Sequence, residues 1–170
     1  MMKTISSFTV DHMKMERGIF ISRVDTVGDY YVTTYDIRVK LPNRAPYIPP
    51  EVSHTLEHII ATYVRNDKVW GNKIVYFGPM GCLTGFYLLV KSYVVGSPET
   101  VAYLILDAFQ YVVDFDGEIP GATPRQCGNY AFQDLNGAKV IAREYLDYMR
   151  ENINNKDKIF KYPEGEVIDE

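Results

Sequence analysis

The chain has 170 residues, 46% of them hydrophobic, and a formal net charge of −4. That is enough material for one domain with a buried core, and it excludes a disordered polymer. The acidic balance argues against a nucleic-acid binder, which shows a basic face, and no apolar run approaches the ~20 residues of a membrane span.

The N-terminal residues Met1 to Ser7 carry neither an apolar run nor a small-residue cleavage site, so no signal peptide is read there. The expected home is the cytoplasm, which keeps thiols reduced. Cys82 and Cys127 are then expected as ligands, catalysts or core residues rather than as a disulfide.

Two strands are predicted first, over residues 19–24 and 31–39, around a turn at Val27-Gly28-Asp29. The second alternates: Tyr31, Thr33, Tyr35, Ile37 and Val39 share one face, while Thr34, Asp36 and Arg38 lie on the other, read as solvated. Four prolines between Pro42 and Pro50 predict a rigid extended connection. A helix follows over residues 52–64, with Val52, Leu56, Ile59, Ile60 and Tyr63 as its apolar stripe. Strands over 73–77 and 86–95 flank the turn Gly78-Pro79-Met80-Gly81-Cys82. Ser97-Pro98-Glu99 marks the start of a helix buried through Val101, Leu104, Ile105, Ala108 and Val112. A Pro/Gly loop over 116–127 precedes a last helix over 137–150, with Ala138, Ile141, Ala142, Tyr145 and Met149 as its inward stripe, and the charged tail past Asn152 is expected to be loosely held. This order does not alternate as a doubly wound fold does. It predicts a single α+β domain over residues 1–170, a largely antiparallel sheet with helices packed on one face.

The sharpest motif is His54-Thr55-Leu56-Glu57-His58. Histidines four apart on a helix project from one side and can chelate one ion, with Glu57 beside them. This is the reverse of the commoner His-Glu-x-x-His zinc helix. A catalytic site needs a third ligand and an open position. The candidates are Cys82, Cys127, Asp114, Asp116, Glu118 and Glu144. Cys127, at the end of the Pro/Gly loop in Gln126-Cys127-Gly128, gives a soft His₂Cys set suited to Zn²⁺ or Fe²⁺. Cys82, on its glycine turn, is either a small core residue or a thiol whose pKa a nearby cation lowers. Two further readings share the histidine pair: an inverted-zinc-helix peptidase with a downstream glutamate, and a closed structural His₂Cys₂ zinc using both cysteines.

The ordered set His54-Thr55-Leu56-Glu57-His58, Gly78-Pro79-Met80-Gly81-Cys82-Leu83-Thr84-Gly85-Phe86-Tyr87 and Gln126-Cys127-Gly128-Asn129-Tyr130 resembles S-ribosylhomocysteine lyase, the LuxS or autoinducer-2 synthesis family. Ser7-Phe8 with Asp11-His12, Asp36-Ile37-Arg38, and Asp134-Leu135 with Gly137-Ala138-Lys139 extend the likeness over nearly the whole chain. The resemblance implies an α+β homodimer with active sites at the interface. It implies cleavage of S-ribosylhomocysteine to homocysteine and 4,5-dihydroxypentane-2,3-dione, the autoinducer-2 precursor, in quorum sensing and the activated methyl cycle. It implies one Fe²⁺ per subunit, with Zn²⁺ or Co²⁺ able to substitute, on His54, His58 and Cys127. Cys82 and Glu57 correspond to the family's acid/base pair, Ser7, His12 and Arg38 to its ribose and access-loop residues, and Arg65 to the homocysteine end. Two positions depart from the family pattern: Leu83 stands where a polar residue is expected, and Tyr76 where an aspartate is expected.

Overall fold

The computed structural model describes residues 8–163. Strands β1 (Gly18–Val27) and β2 (Tyr30–Arg38) form a hairpin, its turn carried by Gly28 at φ 58°. Helix α1 (Pro50–Asn66) follows, then β3 (Ile74–Pro79), β4 (Gly85–Ser92), and helices α2 (Pro98–Asp114), α3 (Leu135–Asn152) and α4 (Lys156–Phe160). The four strands make one antiparallel sheet in the order β1-β2-β4-β3.

Pleat alternation decides which residues meet the helices. In register, Ile19 faces Ile37, Ile37 faces Phe86, and Tyr35 faces Leu88, and these side chains join α1, α2 and α3 in one core. The predicted stripes of α1, α2 and α3 are the ones buried, apart from the half-buried Tyr63. Burying each such side chain is worth about 1.5–3 kcal/mol, so the stripes rather than local propensity fix the helices. Proline opens both α1 and α2, where its missing N–H costs nothing. Ser97 occupies the N-cap of α2, yet its side chain makes no capping bond. Asp134 does cap α3, accepting from the Gly137 N–H at 2.8 Å.

Three expectations are corrected. The last sheet strand ends at Ser92 rather than continuing to residue 95. The opposite face of β2 is not solvated at its end: Asp36 and Arg38 are each only 2% exposed. The tail is not loose through residue 160, because Asn155 caps α4, and Ile159 and Phe160 are buried with the core. Helices α1 to α3 share one face, whereas α4 lies against β1.

Candidate metal centre

One turn of α1 separates His54 from His58, and both Nε2 atoms point to the same place, 3.0 Å apart. Cys127 arrives from the loop before α3 and sets Sγ 3.3 Å from His54 Nε2. The three donor atoms lie within 4.8 Å of one another, and among the described residues they form the one such group of His, Cys, Asp or Glu. Cys82 stands outside it, Glu144 is paired with Lys40 at 2.6 Å, and Asp114 accepts from Gln110.

The donor set fits a divalent ion. His54 Nδ1 meets the Phe132 carbonyl at 2.7 Å, and His58 Nδ1 meets that of Pro120 at 2.6 Å. Carbonyls only accept, so both Nδ1 atoms carry the proton and both Nε2 atoms present lone pairs to each other. Two lone pairs at that separation repel unless a cation lies between them. Tetrahedral N and S ligands at ordinary zinc bond lengths stand about 3.3 to 3.6 Å apart, close to the spacing seen. Gly121, at φ 70°, makes the second anchor feasible: a Cβ there would come within 3.4 Å of His58 Nδ1.

A second hydrogen-bond layer holds His54. The Gln133 side-chain amide reaches Nδ1 at 3.2 Å and Thr55 Oγ1 at 2.8 Å. Thr55 Oγ1 also accepts from the Asp134 N–H and lies 2.9 Å from the Glu51 carbonyl. Thr55 has one hydrogen to give, and a protonated Nδ1 cannot accept. The arrangement closes when the Gln133 oxygen faces Nδ1 and its NH₂ donates to Thr55, which donates to Glu51. The sequence gives no warning of the Phe132 and Pro120 acceptors, since a backbone carbonyl has no residue letter.

Glu57 lines a pocket of about 380 Å³ together with Ser53, His54, Met80, Leu83 and Phe132. Leu83, in the left-handed region at φ 58°, therefore makes the metal-side pocket apolar rather than the surroundings of the thiol. Tyr76 lies within electrostatic range of Glu57: burial first, then that carboxylate, raises its pKa. Its hydroxyl passes over Gly78, where a Cβ would meet it at 1.9 Å.

Cys82 lines a neighbouring pocket of about 390 Å³ with His12, Arg38, Thr84 and Tyr87, and the two pockets share Met80 and Gly81. Sγ lies 3.0 Å from Thr84 Oγ1 and 3.8 Å from Arg38 Nη1. His12 Nδ1 bonds the Val10 carbonyl at 2.8 Å. Arg65 is exposed at the far end of α1, donating to the Val75 carbonyl at 3.1 Å. Ser7 lies outside the described residues.

The structure thus clusters His54, His58 and Cys127, sets Glu57 in a pocket shared with His54, and groups Cys82 with His12 and Arg38 next door. The family model for S-Ribosylhomocysteinase (LuxS) matches residues 5–156. A protein of Phocaeicola vulgatus named S-ribosylhomocysteine lyase is 50% identical over 97% of this chain and 100% of its own length. Proteins of the same name from Desulfotalea psychrophila and Borreliella afzelii are 43% and 46% identical, each over 95% of this chain, and over 99% and 100% of their own lengths. On the family match, the identities and their coverage, the chain belongs to the S-ribosylhomocysteinase (LuxS) family.

Proposed function

We propose that this chain is a carbon–sulfur lyase that cleaves S-ribosylhomocysteine to homocysteine and 4,5-dihydroxypentane-2,3-dione. The observation that carries the reading is the His54–His58–Cys127 donor set, with Glu57 in a pocket that His54 also lines, in a chain whose relatives bear that enzyme's name. A thioether leaves poorly unless a carbonyl stands two carbons away. The sugar carbonyl must therefore migrate down the chain twice before the sulfur is eliminated. Each migration removes a proton from one carbon, delivers one to its neighbour, and builds negative charge on oxygen. A divalent ion held by the two imidazoles and the thiolate supplies Lewis acidity for that charge.

The chain's own groups carry the protons. Glu57 stands on the His54 side, and Cys82 stands beside Arg38, with Arg38 Nη1 3.8 Å from its Sγ. His12 and Arg38 offer polar contacts to the ribose hydroxyls, with Ser7 assigned there by resemblance, and Arg65 is assigned to the homocysteine end. Fe²⁺ is the proposed ion, with Zn²⁺ or Co²⁺ able to replace it on the same soft donors. A homodimer is proposed because Glu57 and Cys82 line different pockets of one chain, whereas the chemistry needs both around one substrate. We place the reaction in the cytoplasm, where both thiols stay reduced, and its product in autoinducer synthesis and the methyl cycle.

The test is homocysteine release, followed with a thiol reagent, from metal-loaded protein given S-ribosylhomocysteine. Stoichiometric thiol is expected, and its absence overturns the assignment. The rival roles of the cysteines separate by metal content. Cys127→Ser protein is expected to lose the ion, while Cys82→Ser keeps it and loses turnover.

A further inference from the structure

Asp36 and Arg38 sit two apart on β2, on the face turned away from α1 to α3, and both are almost fully buried. Arg38 divides its fork. Nη2 donates to Asp36 Oδ2 at 2.5 Å, while Nη1 donates to Thr84 Oγ1 at 2.5 Å and faces Cys82 Sγ at 3.8 Å. The setting of Asp36 therefore decides where the guanidinium stands relative to the thiol. Asp36 Oδ2 accepts one further bond, from the Tyr162 hydroxyl at 2.9 Å. Among the described residues Asp36 Oδ1 and Arg38 Nε have no hydrogen-bond partner, so little else there ties the pair down. A space of about 10 Å³ lies among Asp36, Arg38, His12, Ser22 and Tyr162.

Tyr162 lies past α4 and past residue 156, where the family match ends. Its ring stacks on Phe20 at 5.0 Å and 17°, and Phe20 is the residue directly opposite Asp36 in the β1–β2 ladder. Its buried hydroxyl also stays protonated: burial, then the Asp36 charge, raises its pKa far above the ordinary tyrosine value. It is thus a fixed donor aimed at the carboxylate.

We propose that Tyr162 is a positioning residue for the Cys82 site: its hydroxyl anchors Asp36, Asp36 sets Arg38, and Arg38 with Thr84 sets the Cys82 thiol. The role assigned to Cys82 rests on the proposed lyase reaction, but the contact chain can be tested without turnover. Among the described residues, four ionisable groups surround the thiol: Arg38 from β2, with Asp36 behind it, Tyr87 from β4, and His12 from the N-terminal loop. Arg38 is the cation in contact with Sγ. Without the tyrosine hydroxyl, Asp36 keeps only the guanidinium, which is drawn toward the carboxylate and away from sulfur. The sulfur then loses the cation that stands beside it.

The experiment compares parent and Tyr162→Phe proteins, both metal-loaded, by the rate of iodoacetamide alkylation at Cys82 as a function of pH, read on the Cys82 peptide by mass. Phenylalanine keeps the stacking on Phe20. Alkylation near neutral pH is expected to slow by about threefold, with the rate profile displaced to higher pH. The rate of homocysteine release is expected to fall in kcat more than in KM. A chain ending at Lys161, which keeps α4, is expected to show the same displacement. An unchanged alkylation profile in both variants overturns the proposal, even if their melting temperatures drop. If neither parent nor variant releases homocysteine but the profiles differ, the lyase reading fails and the positioning role stands.

Discussion

His54 and His58 are held from behind by carbonyls, which aim their Nε2 atoms at one point. Outer partners of this kind typically change metal affinity by about 10–100-fold. Gln133→Leu and Thr55→Val each remove a member of the layer behind His54 without touching a ligand. Both are expected to weaken metal binding by about tenfold in chelator competition, and Thr55→Ser, which keeps the hydroxyl, should restore it. Equal affinity in all three proteins would remove that layer from the site. Glu57→Gln should keep its metal and lose about 10²- to 10⁴-fold in turnover, the usual worth of a positioned proton carrier, measured as homocysteine release. The convergence of His54 and His58 could be read from residue letters because their spacing on a helix fixes their direction, whereas Cys127 comes from a loop and is singled out only by its motif. Thr55 and Gln133 could not, because they lie 78 positions apart and meet only when the start of α3 packs on α1.

At the level of elements, the apolar stripes of α1, α2 and α3 and the β2 alternation were legible because burial and periodicity coincide there. The solvated reading of Asp36 and Arg38 failed for a definite reason. Alternation tells which residues share a face, but not whether another segment covers it, and here Tyr162 and the loop around His12 do. Short α4 was hidden among charges, with only Ile159 and Phe160 to betray it. Ile159→Ala should therefore destabilise the fold by about 2–4 kcal/mol in denaturant unfolding, far more than a frayed tail could cost. Helix α3 makes a pH-dependent contribution through Tyr145, which is fully buried and donates to the Gly18 carbonyl at 3.0 Å. Burial raises its pKa well above the model-compound value of 10.0. The stabilisation is then complete below pH 10.0 and declines above it, as the unfolded chain gives up a proton that the folded one keeps. Tyr145→Phe should lose about 1 kcal/mol at neutral pH. Its stability should also fall less steeply in alkali, by up to about 1.4 kcal/mol per pH unit.

For the whole molecule, the proposed reaction requires groups from two pockets of one chain to act on one substrate. Glu57 and His54 line one of them, while Cys82, Arg38 and His12 line the other. Around the second pocket Phe8 is 72% exposed and Met13 66%, apolar surface that a partner would cover. In a twofold dimer any contact between two unlike patches occurs twice, so one subunit's Cys82 pocket lying against the other's His54–Glu57 pocket would give two equivalent composite sites. That arrangement predicts complementation. Glu57→Gln and Cys82→Ala proteins are each inactive alone. Unfolded together in equal amounts and refolded with metal, about half the dimers are mixed, and each mixed dimer holds one site with both proton carriers and one with neither. About a quarter of parental homocysteine release should return. If Glu57 and Cys82 of the same chain served one site, every site in the mixture would lack one carrier and no activity would return. Recovery should also fall with dilution into the range where sedimentation shows monomer, because a composite site disappears with the interface that forms it.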